Sequence, residues 1–135
     1  MKEMTQEERI DLISHRILVL AFTNNDFFPI VKDSKDLFPK RYQEIIENPK
    51  GEKADFLDME ATYETGEMNE SQIKEEFDDL LRHLKIEYLT KRRAALKNKM
   101  LELEDDTREK EDLLERFDKV SKKIDELRRQ NVHKK

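Results

Sequence analysis

Hydrophobic residues recur along the first part of this chain at intervals of three and four positions, which is the spacing of one helix face. The first such face carries Ile10, Ile13, Ile17 and Ala21. Further leucines make this segment apolar nearly all round, which is typical of a helix at the centre of a bundle. Thr5 and Glu8 form a capping box at its start, so we predict a helix from about residue 5 to residue 22.

Three shorter helices are predicted next, separated by polar or turn-forming residues. They run from about Phe27 to Lys32, from Pro39 to Glu47 and from Ala54 to Glu64. We expect their aromatic residues to be core, including Phe56 and Tyr63 of the fourth helix. The aromatic core is predicted to contain Phe22, Phe27, Phe38 and Phe56. Short helices with short connections favour a compact bundle lobe over residues 1–70.

The pattern changes after residue 70. Residues 71–104 contain neither glycine nor proline, and they are predicted to form one long connecting helix. At 1.5 Å per residue such a helix is about 50 Å long. Its apolar stripe is interrupted by Lys91-Arg92-Arg93, so a bend near Thr90 stays open as an alternative.

A second helix follows in residues 105–135 and begins after a short acidic break. Its apolar residues are spaced by four and three, as in a heptad seam: Leu113, Phe117, Val120, Ile124 and Leu127. Antiparallel pairing of this seam with the end of the long helix predicts a hairpin over about residues 89–131. The predicted fold is therefore all-α, a small N-terminal helix bundle joined by a long helix to a C-terminal antiparallel helical hairpin.

The composition supports the predicted all-α fold and excludes several classes of protein. Charged residues make up 44% of the chain and there are two glycines, too few for the many tight turns of a β-sandwich. Cysteine is absent, which excludes disulfides and thiolate metal sites. No apolar run approaches the ~20 residues that span a membrane. We expect a cytoplasmic protein without a membrane partner.

Charge is divided unevenly along the chain. Residues 1–70 carry nine basic and sixteen acidic side chains, and residues 108–135 carry ten basic and seven acidic ones. The acidic first half repels phosphates, so direct nucleic-acid binding is not expected. Lys91-Arg92-Arg93, with Lys97 and Lys99, is the one dense basic cluster. The preferred interpretation is a helix face whose charge is balanced by acidic residues of the partner helix. The alternative is a binding site for phosphates or an acidic protein tail.

Catalytic and metal-binding patterns are weak. Ser14 and His15 are adjacent, and adjacent positions of a helix point apart. Asp79 and His83 share a helix face, but a solvated pair is the preferred interpretation over a metal site. The segment from Asp105 to Glu109 lacks the glycine and glutamate of a calcium loop and is read as a capped turn. We expect no catalytic residue, no cofactor and no metal.

The hairpin carries the candidate partner-binding residues. Its apolar members lie off the heptad register and lack obvious cover: Leu101, Leu114 and Val132. A charged rim is expected around them, formed by Arg92, Arg93, Arg128 and Arg129. Such a patch at the end of a hairpin is a candidate docking site, with the alternative that the leucines shield the turn.

The order of these segments resembles a known family. The stretch from Leu81 to Arg92, followed by a charged helix, an acidic break and a heptad helix, resembles the C-terminal helicase-binding domain of bacterial DnaG-type primases. The hydrophobic first helix with its Asn-rich break and Phe-Phe-Pro, and the segment Leu57–Glu64, are similar as well. The resemblance covers about residues 7–131.

The resemblance implies a partner and a role. It implies that the hairpin docks on the N-terminal domains of the replicative DNA helicase hexamer, recruiting primase to the fork and modulating helicase and priming activity. In some members of that family the domain also binds the acidic tail of single-strand DNA-binding protein, for which Lys91-Arg92-Arg93 is a counterpart here. The zinc-binding module and polymerase core of a primase are missing from this chain, so we do not expect an enzyme.

Two other functions share the same compositional features. The first is a free-standing helical adaptor or self-associating structural protein whose hairpin mediates assembly. The second is a weak nucleic-acid binder that uses the basic face, which would show salt-dependent binding to single-stranded DNA.

Overall fold

The computed structural model describes residues 3–103 and 108–133, without the side chains of residues 25, 52, 53 and 131–133. All regular structure in these ranges is helical, so the predicted all-α class is confirmed. The α-helices of the described residues are α1 (Gln6–Ala21), α2 (Phe28–Asp33), α3 (Lys40–Glu47), α4 (Glu52–Thr65), α5 (Glu70–Glu102) and α6 (Arg108–His133). Short 3-10 turns, Asn25–Phe27 and Lys35–Leu37, flank α2.

The chain divides into two compact units, Met1–Leu84 and Lys85–Lys135. The first contains α1 to α4 and the first turns of α5, up to residue 84. The second contains the rest of α5 and all of α6. Below they are called the bundle unit and the hairpin unit.

Helix α1 begins as its sequence predicts and forms the centre of the bundle unit. Thr5 is its N-cap, and the Thr5 hydroxyl accepts a hydrogen bond from the backbone N–H of Glu8 at 3.1 Å. This contact satisfies one of the free N–H groups that every helix start leaves. The residues from Ile17 to Ala21 are completely buried, which explains why the segment is apolar nearly all round.

Aromatic rings join the elements of the bundle unit around α1. The ring of Phe27 stacks on that of Phe77 in α5, with centroids 4.3 Å apart and planes within 10°. Phe22 meets Phe28 edge to face at 5.2 Å. Phe38 is buried as well. Three of the four predicted core phenylalanines therefore pack in or against the core, and Phe77 adds one from the long helix.

The prediction that Phe56 and Tyr63 of α4 are core is wrong. Phe56 is 76% exposed and Tyr63 is 93% exposed. Helix α4 packs through its opposite face, on which the buried residues recur at helical spacing: Ala54, Leu57, Ala61 and Thr65. Helix α4 thus has two apolar faces, and the one with smaller side chains lies against the core.

The hairpin unit contains two helices that run antiparallel. Leu103 at the end of α5 shares a groove with Glu109 at the start of α6, and Leu96, two turns earlier, shares one with Arg116. Their seam buries Leu96, Ile124 and Leu127. Helix α5 continues through residue 90 without a break. The predicted acidic break at residues 104–107 lies outside the described residues.

Candidate functional site

A groove rich in cations lies between the two helices of the hairpin unit. Helix α5 lines it with residues that recur every three or four positions and therefore share one face. Its volume is about 400 Å³, and its walls are Tyr88, Lys91, Arg92, Ala95, Leu96, Lys99 and, from α6, Arg116. Four of these seven side chains are cations and none is acidic. We call this set of residues the basic groove.

A second groove, nearer the turn of the hairpin, has balanced charge. It measures about 340 Å³ and shares Lys99 and Arg116 with the basic groove. Its acidic residues are Glu102 of α5 and, from α6, Glu109 and Asp112. The expectation that acidic residues of the partner helix balance the basic face therefore fits this end of the hairpin. It does not fit the basic groove, whose walls contain no carboxylate.

The candidate partner-binding residues predicted from the sequence differ in their exposure to solvent. Leu101 is 74% exposed and Leu114 is 51% exposed, so both lack cover as expected. Arg128 and Arg129 are exposed and Arg93 is half-buried. Val132 falls within α6, and its side chain lies outside the described residues.

Of this predicted set, Arg92 lines the basic groove. Leu101, Leu114 and the other three arginines are absent from the walls of the two grooves described above. The basic groove instead includes Arg116, which sequence reasoning missed. The signal for Arg116 was its place beside Phe117 in the heptad seam, which antiparallel pairing sets opposite Leu96.

Ion pairs connect α1 of the bundle unit to its neighbours. His15 Nε2 is hydrogen-bonded to Glu60 Oε2 of α4 at 2.8 Å. Arg16 bonds both Glu64 of α4 and Glu76 of α5. The hydrogen bond from Arg16 to Glu76 raises the pKa of Arg16 against the opposing effect of burial. The imidazole of His15 is therefore hydrogen-bonded to a carboxylate of another helix.

The side chain of Ser14 does not form a catalytic pair with His15. Ser14 is completely buried, and its hydroxyl has no hydrogen-bond partner in the part of the chain that the structure describes. Asp79 bonds Arg82 at 2.9 Å, on the helix that carries His83. Within residues 3–103 and 108–133, no three His, Asp or Glu side chains are grouped so that they could hold a metal ion. The segment from Asp105 to Glu109, read as a capped turn, falls largely outside the described residues.

The bundle unit has an open groove between α1, α3 and α4. It measures about 670 Å³ and is lined by Asp11, Leu12, His15, Arg41, Tyr42, Ile45, Phe56 and Leu57. The Arg41 guanidinium lies over the Tyr42 ring at 4.7 Å, and it bonds both the Tyr42 hydroxyl and Asp11. Burial, with the nearby charge of Asp11, raises the pKa of Tyr42. We call this space the bundle groove.

Comparison with protein-family models, with curated proteins and with solved structures finds no match to this chain. In the ranges that are described, no helix combines the length and the apolar character needed to cross a membrane.

Proposed function

We propose that this chain is a protein-docking domain that attaches a primase to the replicative DNA helicase through its hairpin unit. The observation that carries the proposal is the outward position of Leu101 and Leu114 on a two-helix unit. The partner follows from the resemblance of Leu81–Arg92 and the helices after it to the helicase-binding domain of primases. Such a domain works in the bacterial cytoplasm and modulates the helicase by binding it.

A two-helix hairpin has one seam and leaves its other faces exposed to solvent. Leu101 and Leu114 are large apolar side chains on those faces, and burying each against a partner removes apolar surface from water. Binding energy at protein interfaces is concentrated in a few such residues, surrounded by a polar rim. Arg128 and Arg129 are exposed and supply cations for that rim.

The test is complex formation between the full chain and the hexameric helicase of the same organism, measured by biolayer interferometry. We expect Leu101→Ala and Leu114→Ala each to weaken binding by about 10-fold, mainly through faster dissociation. Arg129→Ala should mainly change how salt affects association. The matched control is Ile30→Ala, which removes an exposed apolar side chain from the bundle unit. Unchanged affinity in both leucine variants, or an equal loss with Ile30→Ala, would contradict the proposal.

A second function is favoured by the basic groove, which has the charge to bind an acidic peptide such as the tail of single-strand DNA-binding protein. Four cations and a tyrosine line the groove, a combination that fits a segment with several carboxylates and an apolar side chain. The groove lies on α5 at the run of basic residues that the resemblance relates to this partner.

Fluorescence anisotropy with a labelled acidic peptide tests this second function. Lys91→Glu and Arg116→Glu should each weaken binding, whereas Arg128→Glu, which changes the net charge equally outside the groove, should leave it nearly unchanged. If a labelled single-stranded oligonucleotide binds more tightly than the peptide and competes with it, the groove is a nucleic-acid site instead. Sedimentation equilibrium of the chain alone distinguishes the self-associating adaptor, which would form oligomers without any partner.

A further inference from the structure

The outer face of α4 carries a row of large exposed apolar side chains. Phe56, Met59 and Tyr63 are 76%, 71% and 93% exposed, and their spacing of three and four places them on one side of the helix. On a surface helix this side is normally polar. The row follows the a–d–a positions of a heptad and extends about 10 Å along the helix axis.

This row continues into the bundle groove. Phe56 belongs to both, because it lines the groove together with Leu12, which is 55% exposed. The apolar surface therefore reaches from α4 towards α1. Contiguous exposed apolar surface of this kind marks binding sites for other proteins. We call Phe56, Met59 and Tyr63 the α4 row.

Carboxylates border the α4 row on both sides. At 100° per residue, Asp55 and Asp58 fall on one flank, and Glu60 and Glu64 on the other. Glu60 and Glu64 bond His15 and Arg16 of α1. Asp55 and Asp58 are exposed, and their side chains form no ion pair within the described residues.

This distribution of charge indicates which kind of partner would bind the α4 row. Residues that flank an apolar seam set the choice of partner, and like charges across it are unfavourable. Two α4 helices packed row to row would bring Asp55 and Glu60 of each copy together, so the charges oppose pairing with a second copy. An amphipathic helix with lysines or arginines beside its apolar seam meets both acidic flanks with opposite charge.

We propose that the α4 row binds a basic amphipathic helix of another protein, laid along the outer face of α4 with its lysine or arginine flanks against Asp55, Asp58 and Glu60. The apolar side chains of that helix pack on the row and reach the bundle groove beside Phe56. This surface lies on the bundle unit and does not depend on the hairpin docking proposed above.

The experiment uses the full chain and two labelled synthetic peptides of three heptads each. Both have leucine at a and d; one has lysine at e and g, and the other has glutamate there. We expect the lysine peptide to bind, with fluorescence anisotropy as the readout, and the glutamate peptide to bind at least ~10-fold more weakly. Phe56→Ser and Tyr63→Ser should each lower the affinity for the lysine peptide by about 10-fold.

Two control variants separate this surface from general attraction to an acidic protein. Leu101→Ser removes an equally exposed apolar side chain from the hairpin unit and should leave affinity for the lysine peptide unchanged. Asp55→Lys with Asp58→Lys should reduce the preference for the lysine peptide over the glutamate peptide. Circular dichroism of each variant confirms that the helices remain folded.

Three results would overturn the proposal. The first is equal binding of both peptides, or binding of neither. The second is a lysine-peptide affinity that Phe56→Ser and Tyr63→Ser do not change. The third is a dimer of the wild-type chain, seen by sedimentation equilibrium, that Phe56→Ser dissociates, because the occupant of the row would then be a second copy.

Discussion

The Nε atom of Arg16 lies 2.5 Å from Oε2 of Glu76, and the same guanidinium bonds Glu64 at 2.8 Å. One side chain of α1 thus connects α4 and the first part of α5. Because the group is half-buried, its pairs are screened less by water than ordinary surface pairs. We expect Arg16→Ala to lower the free energy of unfolding by about 1–2 kcal/mol, measured by urea denaturation.

The control for this prediction is Lys35→Ala. Lys35 bonds Glu47 at 2.7 Å, but Glu47 is 60% exposed and the pair lies at the surface. We expect a much smaller change in the free energy of unfolding than for Arg16→Ala. Equal effects of the two substitutions would show that Arg16 behaves as an ordinary surface cation.

Truncation of two phenylalanines of the bundle unit should change the free energy of unfolding by very different amounts. Phe77 is completely buried and stacks on Phe27, so Phe77→Ala removes core contacts and leaves a cavity. We expect it to cost about 3–5 kcal/mol of the free energy of unfolding. Phe56→Ala should change it by less than ~0.5 kcal/mol, because that ring is exposed. Thermal unfolding followed by circular dichroism measures both, and a large loss with Phe56→Ala would contradict the observed packing of α4.

Replacing Ser14 with alanine should stabilise the protein. Its hydroxyl is buried and has no hydrogen-bond partner among the described residues, so folding removes it from water without compensation. Alanine also favours the helix by about 0.5 kcal/mol over serine. The expected gain in the free energy of unfolding is about 1–2 kcal/mol for Ser14→Ala. Ser121→Ala in α6 measures the helix preference alone, and an equal gain there would remove the role of the buried hydroxyl.

Alkaline pH should destabilise the bundle unit through Tyr42. Burial raises the pKa of Tyr42 in the folded chain above the value of about 10 that it has when unfolded. The stability that Tyr42 contributes is therefore complete below about pH 10 and is lost as the pH rises through the higher folded pKa. Tyr42→Phe should show a smaller fall in the free energy of unfolding over this range, measured by urea denaturation at several pH values. The same fall in both proteins would contradict the assignment.

Backbone amides should exchange faster in residues 108–131 of α6 than in residues 10–22. The two-helix seam of the hairpin unit buries Leu96, Ile124 and Leu127, whereas the residues from Ile17 to Ala21 are enclosed on all sides by the bundle unit. Fewer buried contacts lower the cost of local opening. Hydrogen exchange with mass spectrometry would show the difference, and slower exchange in α6 would contradict it.

Local signals in the sequence were sufficient to predict the helices. The Thr5 cap, the long segment free of glycine and proline, and the heptad spacing from Leu113 to Leu127 each depend on neighbours along the chain. These features set where a helix begins, how long it runs and which side of it is apolar. They do not set which elements meet.

Which residues are exposed or line a groove depends on contacts between residues that are distant in the sequence. The sequence pattern was insufficient to predict these contacts. Helix α4 is apolar on two faces, and periodicity cannot decide between them. The small side chains of Ala54 and Ala61 allow α4 to pack closely on α1. Phe56 and Tyr63, on the opposite face of α4, are then exposed to solvent. Arg116 joins the basic groove only because of the hairpin register.

The basic groove has walls from two helices, with Arg116 supplied by α6 and the other lining residues by α5. It is complete only while the hairpin is closed. Any anion that binds the complete groove more tightly than α5 alone must favour closure, and by reciprocity closure must raise affinity for the anion by the same factor. Ligand occupancy and hairpin folding in this protein would then be one thermodynamic equilibrium, so each could be titrated by observing the other.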